Sequence, residues 1–406
     1  MENREFYKQV LGVIAPWEVV NVDTNIEQER VDIYIEWPKG QVGICPECNK
    51  KAKIHDRREE RLWRHLDTCQ LKTFIHCQIP RVKCSTHKVK TMEVPWASDM
   101  SHFTKLFEKL AIDFLLASRN KSKIANLLRI SWDELNHIMN KAVKRGLEKR
   151  NDDLMKFIGM DEKSFLKGHN YVTVMSDIEN KRIIDVAEGR KTETVDSLWN
   201  NLSDSQKNAV EAVSIDFWQA FISGVRKHVP NADIVHDKFH IAKYLNEAVD
   251  KVRREENKRL NIEGDRTLVN TKYLWLKGKN NFTKKNKEFF RKINIELLAV
   301  GRAWQRKELF RDFWGYKYKK PAQDFFNRWY FSATHSNLKP IIDVAKMLKR
   351  HFEEIITYIK HRITNAFAEG INSQIQHVKS TARGFRNFNN YRTSILFYFG
   401  KLELYP

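Results

Sequence analysis

Three short apolar runs constrain this chain more than any other feature. Phe157-Ile158-Gly159-Met160 leads into Asp161, Ala212-Val213-Ser214-Ile215 into Asp216, and Asp233-Ile234-Val235-His236 into Asp237. Such runs, too short for helices and bounded by polar residues, read as buried strands. Asn170 to Ser176 and Arg182 to Ala187 read as hairpin partners of the first run, joined by a turn near Asn180. Helices are expected over Thr194 to Leu202 and Phe217 to His228.

Three strands, helix, strand, helix, strand is an order that predicts a mixed sheet of the ribonuclease H type. Carboxylates at the ends of its central strands would converge. Two or three of them can hold Mg²⁺, a hard ion that takes oxygen ligands. A single strand-end aspartate is by default a turn or a helix cap. Two of them on apolar strands of one sheet are less easily dismissed. A helix beginning at Lys238 would leave Asp237 near His240, three residues on. His240 then either orients a carboxylate or touches a phosphate, or is a satisfied structural histidine.

Upstream, Cys45-Pro46-Glu47-Cys48 and Cys84-Ser85-Thr86-His87 share a two-residue spacing that lets a tight turn aim both side chains at one tetrahedral ion. Alternating stretches between them, such as Leu71 to Cys77, read as strands, so the pair predicts a zinc ribbon. Four protein ligands leave no place for water, so that zinc would be structural. Cys69 and Cys77 are surplus and read as small buried side chains, and His55 as a residue on a polar strand edge.

From Leu106 the period becomes helical, with Leu106, Leu110, Phe114 and Ala117 as the expected inward stripe. Lys123 to Leu128 reads as a short helix. Ser131 reads as the N-cap of a second, with Glu134 completing a capping box and the helix running to about Val143. The pattern fits a helix-turn-helix, or an ordinary helical hairpin. In the first case Asn136, His137, Asn140 and Lys141 face the major groove.

Residues 246 to 350 lack strand alternation and read as helical. Lys238 to Lys292 carries 16 basic and 7 acidic residues. The whole chain has 72 basic against 51 acidic residues, a formal charge of +21 over 406 positions, which favours a polyanionic partner. Most aromatics of this region are expected in a helical core, with Trp304 and Trp314 as possible stacking platforms for a distorted DNA end. No stretch approaches the ~20 apolar residues of a membrane span, and the first residues lack a secretory pattern. Both point to an intracellular protein with no membrane partner.

Near the end, Asn365, Glu369 and Asn372 are spaced by four and three, so they share one helix face. Laid beside the sheet, that helix would bring Glu369 to the aspartates; a solvated face is the alternative. Gly384 reads as a helix C-cap, and Arg383 and Arg386 as phosphate clamps.

Taken in order, the Cys-x-x-Cys ribbon, the paired helices, "GMDEKSF", "SIDFWQAF", "PNADIVHDKFHIAKYLNEAVDKVRR", and "NAFAEGINSQIQ" followed by "ARGFRNF" resemble the insertion-sequence transposases of the ISL3 family over nearly the whole chain. His87 departs from the resemblance, since a cysteine is more usual there; histidine still ligates zinc. The resemblance implies a multidomain α+β protein: an N-terminal zinc ribbon over 1–100, a helix-turn-helix over 101–150, and a ribonuclease H-like α/β core over 151–245 and 351–406, interrupted by an all-helical insertion over 246–350. It ranks Asp161, Asp216 and Glu369 as the catalytic triad, with Asp237 and His240 as an auxiliary pair; Asn365 and Asn372 join them as auxiliaries because they share the helix face of Glu369.

What the resemblance implies for function is a DDE transposase with two catalytic Mg²⁺ ions, for which Mn²⁺ may substitute, and one structural Zn²⁺. It would bind terminal inverted repeats, cleave the 3′ ends and join them to target DNA, as a homodimer on double-stranded DNA at the bacterial nucleoid. Two other readings use the same modules: a metal-dependent nuclease or resolvase that cuts without joining, and a non-catalytic DNA-binding regulator.

Overall fold

The computed structural model describes residues 3–150, 153–166, 170–293, 296–382, 384–385 and 387–406; side chains are described for these except 166, 170 and 366–369. The chain divides into two compact units. One comprises residues 1–149, 381–384 and 402–406, the other 150–380 and 385–401.

The first unit opens with helix α1 (Asn3–Val10) and strands β1 (Glu18–Asn25), β2 (Arg30–Glu36), β3 (Gly43–Ile44), β4 (Lys51–Arg57), β5 (Arg61–Arg64), β6 (Lys72–Cys77), β7 (Pro80–Cys84) and β8 (Lys88–Thr91). They form two four-stranded sheets, ordered β1-β2-β6-β5 and β3-β4-β7-β8. Strict alternation decides which face of β2 is buried: Val31, Ile33 and Ile35 point into the core and Arg30, Asp32 and Tyr34 lie at its margin. Around them Trp17 meets Trp37 and Trp96 edge-on, with centroids 5.1 and 5.2 Å away. Such pairs contribute about 0.5–1.5 kcal/mol beyond their buried area. Cys77 is buried in this core, whereas Cys69 is exposed on a left-handed turn residue (φ 49°), which corrects the expectation that both are buried.

Three helices follow: α2 (Lys105–Ala117), α3 (Lys121–Leu128) and α4 (Trp132–Lys149). The inward stripe of α2 is Phe107, Ala111, Ile112 and Leu115, one position on from the expected Leu106, Leu110, Phe114 and Ala117. Apolar residues occupy both sides of this helix, so periodicity leaves two phases open. Burial of Glu108, which accepts from Ser101 Oγ at 2.7 Å and Arg145 at 3.0 Å, selects between them. The last residues of the chain belong to this unit too: Tyr405 donates to Asp113, and the carbonyl of Leu404 accepts from Arg145.

The second unit is built on β9 (Phe157–Leu166), β10 (Asn170–Asp177), β11 (Arg182–Glu188), β12 (Ala212–Ile215) and β13 (Asp233–His236), in the order β11-β10-β9-β12-β13. The first three pair antiparallel; β12 runs parallel to both β9 and β13. Helices α5 (Thr192–Asn200), α6 (Asp204–Asn208) and α7 (Gln219–His228) connect them, and α5 and α7 close one core with Trp199 and Phe221 fully buried. All four residues of β12 are buried, as a parallel strand covered on both faces requires.

From Lys238 the unit is helical: α8 (Lys238–Ile262), α9 (Lys272–Leu276), α10 (Lys284–Lys292), α11 (Ala299–Phe310), α12 (Lys319–Thr334), α13 (Lys339–Arg350), α14 (Phe352–Ile356) and α15 (Tyr358–His361). Trp275, Phe310, Phe313, Phe326 and Trp329 are fully buried at its centre. Trp304 joins this core and donates its indole N–H to the Lys277 carbonyl, so it is no stacking platform; Trp314 packs half-buried on the core. Helices α16 (Ala366–Thr381) and α17 (Phe388–Phe399) complete the unit. On α17, Arg392 grips the buried Asp185 of β11 through two hydrogen bonds of 2.6 and 3.0 Å. Among the described residues no helix is long and apolar enough to cross a membrane.

Candidate functional site

Sheet register brings the aspartates to one level. Gly159 of β9 pairs with Ser214 of β12, so two residues further along these parallel strands Asp161 comes level with Asp216. Ile215 pairs with His236 of β13, so the next residues, Asp216 and Asp237, are level as well. Asp161 does not end its strand as expected: β9 continues to Leu166 against β10. What ends there is the parallel neighbour β12, and that leaves Asp161 at the open end of the parallel half.

Each carboxylate is held by a local contact. Asp161 Oδ1 accepts from the Glu162 N–H at 2.8 Å, and Oδ2 accepts from Asn372 Nδ2 of α16 at 3.0 Å, with Lys163 Nζ 3.7 Å away. Asp216 accepts from the Trp218 N–H at 2.8 Å. Asp237 caps α8 by accepting from the Phe239 N–H at 3.2 Å, while its other oxygen is buried with no partner among the described residues. His240 lies in the first turn of α8, as expected. Asn365, buried just before α16, donates to the Met160 carbonyl at 3.0 Å. Thus Asn365 and Asn372 both reach β9 around Asp161. Glu369 lies between them on α16, and its side chain is outside the described residues.

Burial pushes the Asp216 carboxyl above its ordinary range. The Trp218 N–H and His240 oppose the shift; Glu162 and Asp161 add to it. Burial likewise raises Asp237, with Asp161 adding to it. Carboxylates crowded in this way gain from a cation among them. The orphaned Asp237 oxygen and the oxygen-only donor set fit a hard divalent ion such as Mg²⁺. Sequence reasoning passed over Glu162, whose charge acts on Asp216 and which pairs with Arg190 at 3.2 Å. Arg190 in turn lies over the Tyr171 and Trp218 rings. Adjacency to Asp161 was the one signal available for Glu162. It also passed over Gly159, where a Cβ would stand 2.3 Å from Asn365 Oδ1 and 2.7 Å from Ser176 Oγ.

In the first unit, Cys45, Cys48, Cys84 and His87 gather with their ligand atoms within 4.8 Å of one another. Cys48 and Cys84 sulfurs are 3.7 Å apart, and His87 Nδ1 is 3.7 Å from both Cys45 and Cys84. Backbone N–H groups of His87 and Thr86 pull the Cys84 thiol down to about 6, towards the thiolate that binds metal. The four residues fit a zinc site, and His87 completes it.

On α4 the capping box is present: Ser131 Oγ accepts from the Glu134 N–H at 3.1 Å and the Glu134 carboxylate accepts from the Ser131 N–H at 2.7 Å. Of the positions expected to face DNA, His137 is exposed and Asn140 is half-buried. Asn136 is instead buried, accepting from Lys121 Nζ at 2.8 Å, because it lies on the face of α4 that meets α3. Lys141 donates to the Asp99 carbonyl at 3.1 Å. Arg383 and Arg386 lie outside the described residues; Gly384 between them has φ 94°, the conformation expected of a helix-ending glycine.

Comparison with known proteins finds the same modules in the same order. Residues 158–395 match the profile of the ISL3 DDE family, described as a transposase. Residues 41–87 match the zinc-finger of transposase IS204/IS1001/IS1096/IS1165, and residues 92–143 the helix-turn-helix domain of transposase family ISL3. The transposase for insertion sequence element IS1001 of Bordetella parapertussis is 24% identical over 88% of this chain and 88% of its own length. That for IS1557 of Mycobacterium tuberculosis is 26% identical over 95% and 93%. The zinc ribbon, the helix-turn-helix and the long domain that follows them each match a transposase family, and together they make the chain a transposase. The chain belongs to the ISL3 family of transposases.

Proposed function

We propose that this transposase cleaves the 3′ ends of an insertion sequence and joins them to target DNA at the Asp161–Asp216 centre, with Glu369 as the third carboxylate. The observation that carries this reading is the register that makes Asp161, Asp216 and Asp237 level on three adjacent strands. The strand order and directions support a ribonuclease H-like core, with the helical stretch from α8 to α13 as an insertion ahead of Glu369.

Asp161, Asp216 and Glu369 would hold two Mg²⁺ ions, or Mn²⁺ in their place, which when bound lower the pKa of water and neutralise the leaving oxygen. Asn372 and the Glu162 N–H fix the Asp161 carboxylate, and the Trp218 N–H fixes that of Asp216. Asn365 holds the strand beneath them through the Met160 carbonyl. His240 favours the ionised form of both Asp216 and Asp237, the latter level with Asp216 on the next strand. Water attacks the terminal phosphodiester in line and the 3′ oxygen leaves. That 3′-OH then attacks a target phosphodiester, so one bond forms for each that breaks and no external energy source enters.

The zinc ribbon and helix-turn-helix read the terminal inverted repeats, with His137, Asn140 and Lys141 on the recognition helix; Asn136 supports that helix from inside. Arg383 and Arg386 clamp phosphates. Two ends meet in one complex, so the working unit on DNA is a homodimer, acting at the nucleoid in the cytoplasm.

The test incubates purified protein with Mg²⁺, labelled terminal repeats and plasmid. Joined products are expected from the wild type. Asp161→Asn, Asp216→Asn and Glu369→Gln should each abolish cleavage and leave end binding intact. Cuts without joining would make the protein a nuclease, shifted but uncut DNA a regulator. A variant that cuts at the wild-type rate removes its residue from the triad.

A further inference from the structure

His236, the last residue of β13, is fully buried, yet neither ring nitrogen makes a hydrogen bond of good geometry among the described residues, the Ile215 and Asp216 carbonyls offering it weak acceptors only. An imidazole carries two polar atoms, and a buried one ordinarily satisfies them. The ring is firmly placed. It stacks on Phe217 with centroids 4.1 Å apart at 25°, and His351 stands edge-on to it at 5.3 Å and 86°. His351 closes α13, and Glu354 follows three residues later on α14. One ligand atom from each of His236, His351 and Glu354 lies within 4.8 Å of the other two.

We propose that His236, His351 and Glu354 form a second transition-metal site, of the zinc class, separate from the ribbon and from the acidic cluster. Zinc–nitrogen bonds of about 2.0–2.1 Å and zinc–oxygen bonds of about 2.0–2.2 Å let two ligands of one ion stand up to about 4 Å apart. Small rotations of His351 and Glu354, both only partly buried, close the remaining gap. Two imidazoles and one carboxylate suit zinc and its neighbours in the first transition row, whereas Mg²⁺ prefers oxygen alone. A fourth position is left for water. Glu354 also accepts from Arg226 at 2.7 Å, which orients the carboxylate from outside.

The location gives the ion a positioning role. His236 immediately precedes Asp237, and its stacking partner Phe217 immediately follows Asp216. An ion here ties the ends of β12 and β13 to the α13–α14 corner and so steadies both aspartates.

The test strips metal from the full-length chain, reloads it with zinc in excess Mg²⁺, removes unbound ions and measures zinc per chain. Two equivalents are expected, falling to one in His351→Ala and in Glu354→Gln. They should stay at two in Glu353→Gln, an exposed neighbour, and in Asp161→Asn. Zinc-edge X-ray absorption on Cys48→Ser, which loses the ribbon ion, should show a shell of imidazole nitrogen and oxygen. One equivalent in the wild type overturns the proposal. So does a second equivalent that survives loss of His351, one lost with Asp161, or a remaining shell made of oxygen alone.

Discussion

Asp237 is 1% exposed, caps a helix with one oxygen and leaves the other without a partner among the described residues. Burial raises its carboxyl above the ordinary value of 3.8. A carboxyl with a raised folded pKa binds its proton more tightly when folded. Stability therefore falls as pH climbs from the unfolded to the folded value, and stays lower above it. In metal-free protein Asp237→Asn should thus raise the melting temperature at neutral pH, and divalent cation should stabilise the wild type more than the variant. A lower melting temperature for the variant in chelator would show that its carboxylate is stabilised by partners rather than strained. At Gly159 the expectation is the reverse. Gly159→Ala drives a methyl into Asn365 and should cost about 1–3 kcal/mol in denaturant unfolding, with loss of cleavage as Asn365 is displaced from β9.

At the scale of elements, local chemistry was legible and phase was not. Ser131 and Glu134 announced the start of α4, and both arms of the capping box form. Ser131→Ala should cost about 1 kcal/mol and weaken end binding without altering the joining step of ends already bound; unchanged unfolding would mean another group caps the helix. The phase of α2 was misread because both of its sides are apolar. Asn136 faces inward because a polar residue at a groove-facing spacing can equally satisfy a buried lysine, and Lys121 reaches it from 15 positions earlier, across the hairpin. Cys69 turned outward because its left-handed turn conformation carries it away from the core. The strands ending near Asp216 and Asp237 were readable because buried parallel strands have no polar face to blur the run.

At the scale of the whole molecule, each unit has its own hydrophobic core. Loss of the ribbon zinc through Cys45→Ser should therefore lower a calorimetric transition of the first unit and abolish repeat binding, while the second unit keeps its own transition. A single transition that moves as one would mean the units fold as one. A net charge of +21 leads to the expectation that much of the DNA affinity lies in phosphate contacts. Affinity should fall steeply with salt, with a log–log slope of about −0.9 for each phosphate neutralised; a flat salt dependence would deny the basic surface that role.

The sequence by itself determined the four residues that gather to fit a zinc ion, the helix caps and the strands that carry the aspartates, because each depends on turns and strands set by near neighbours. Tertiary structure decided the rest. Register set Asp161 level with Asp216 although β9 runs on past it. Packing brought Asn372 onto Asp161 from 211 positions away and His351 beside His236. No local pattern encodes such pairings: they follow from which apolar faces bury one another once the sheet is formed. The acidic centre was thus visible as a list of residues, but its order on the sheet and the histidine pair behind it exist only in the folded chain.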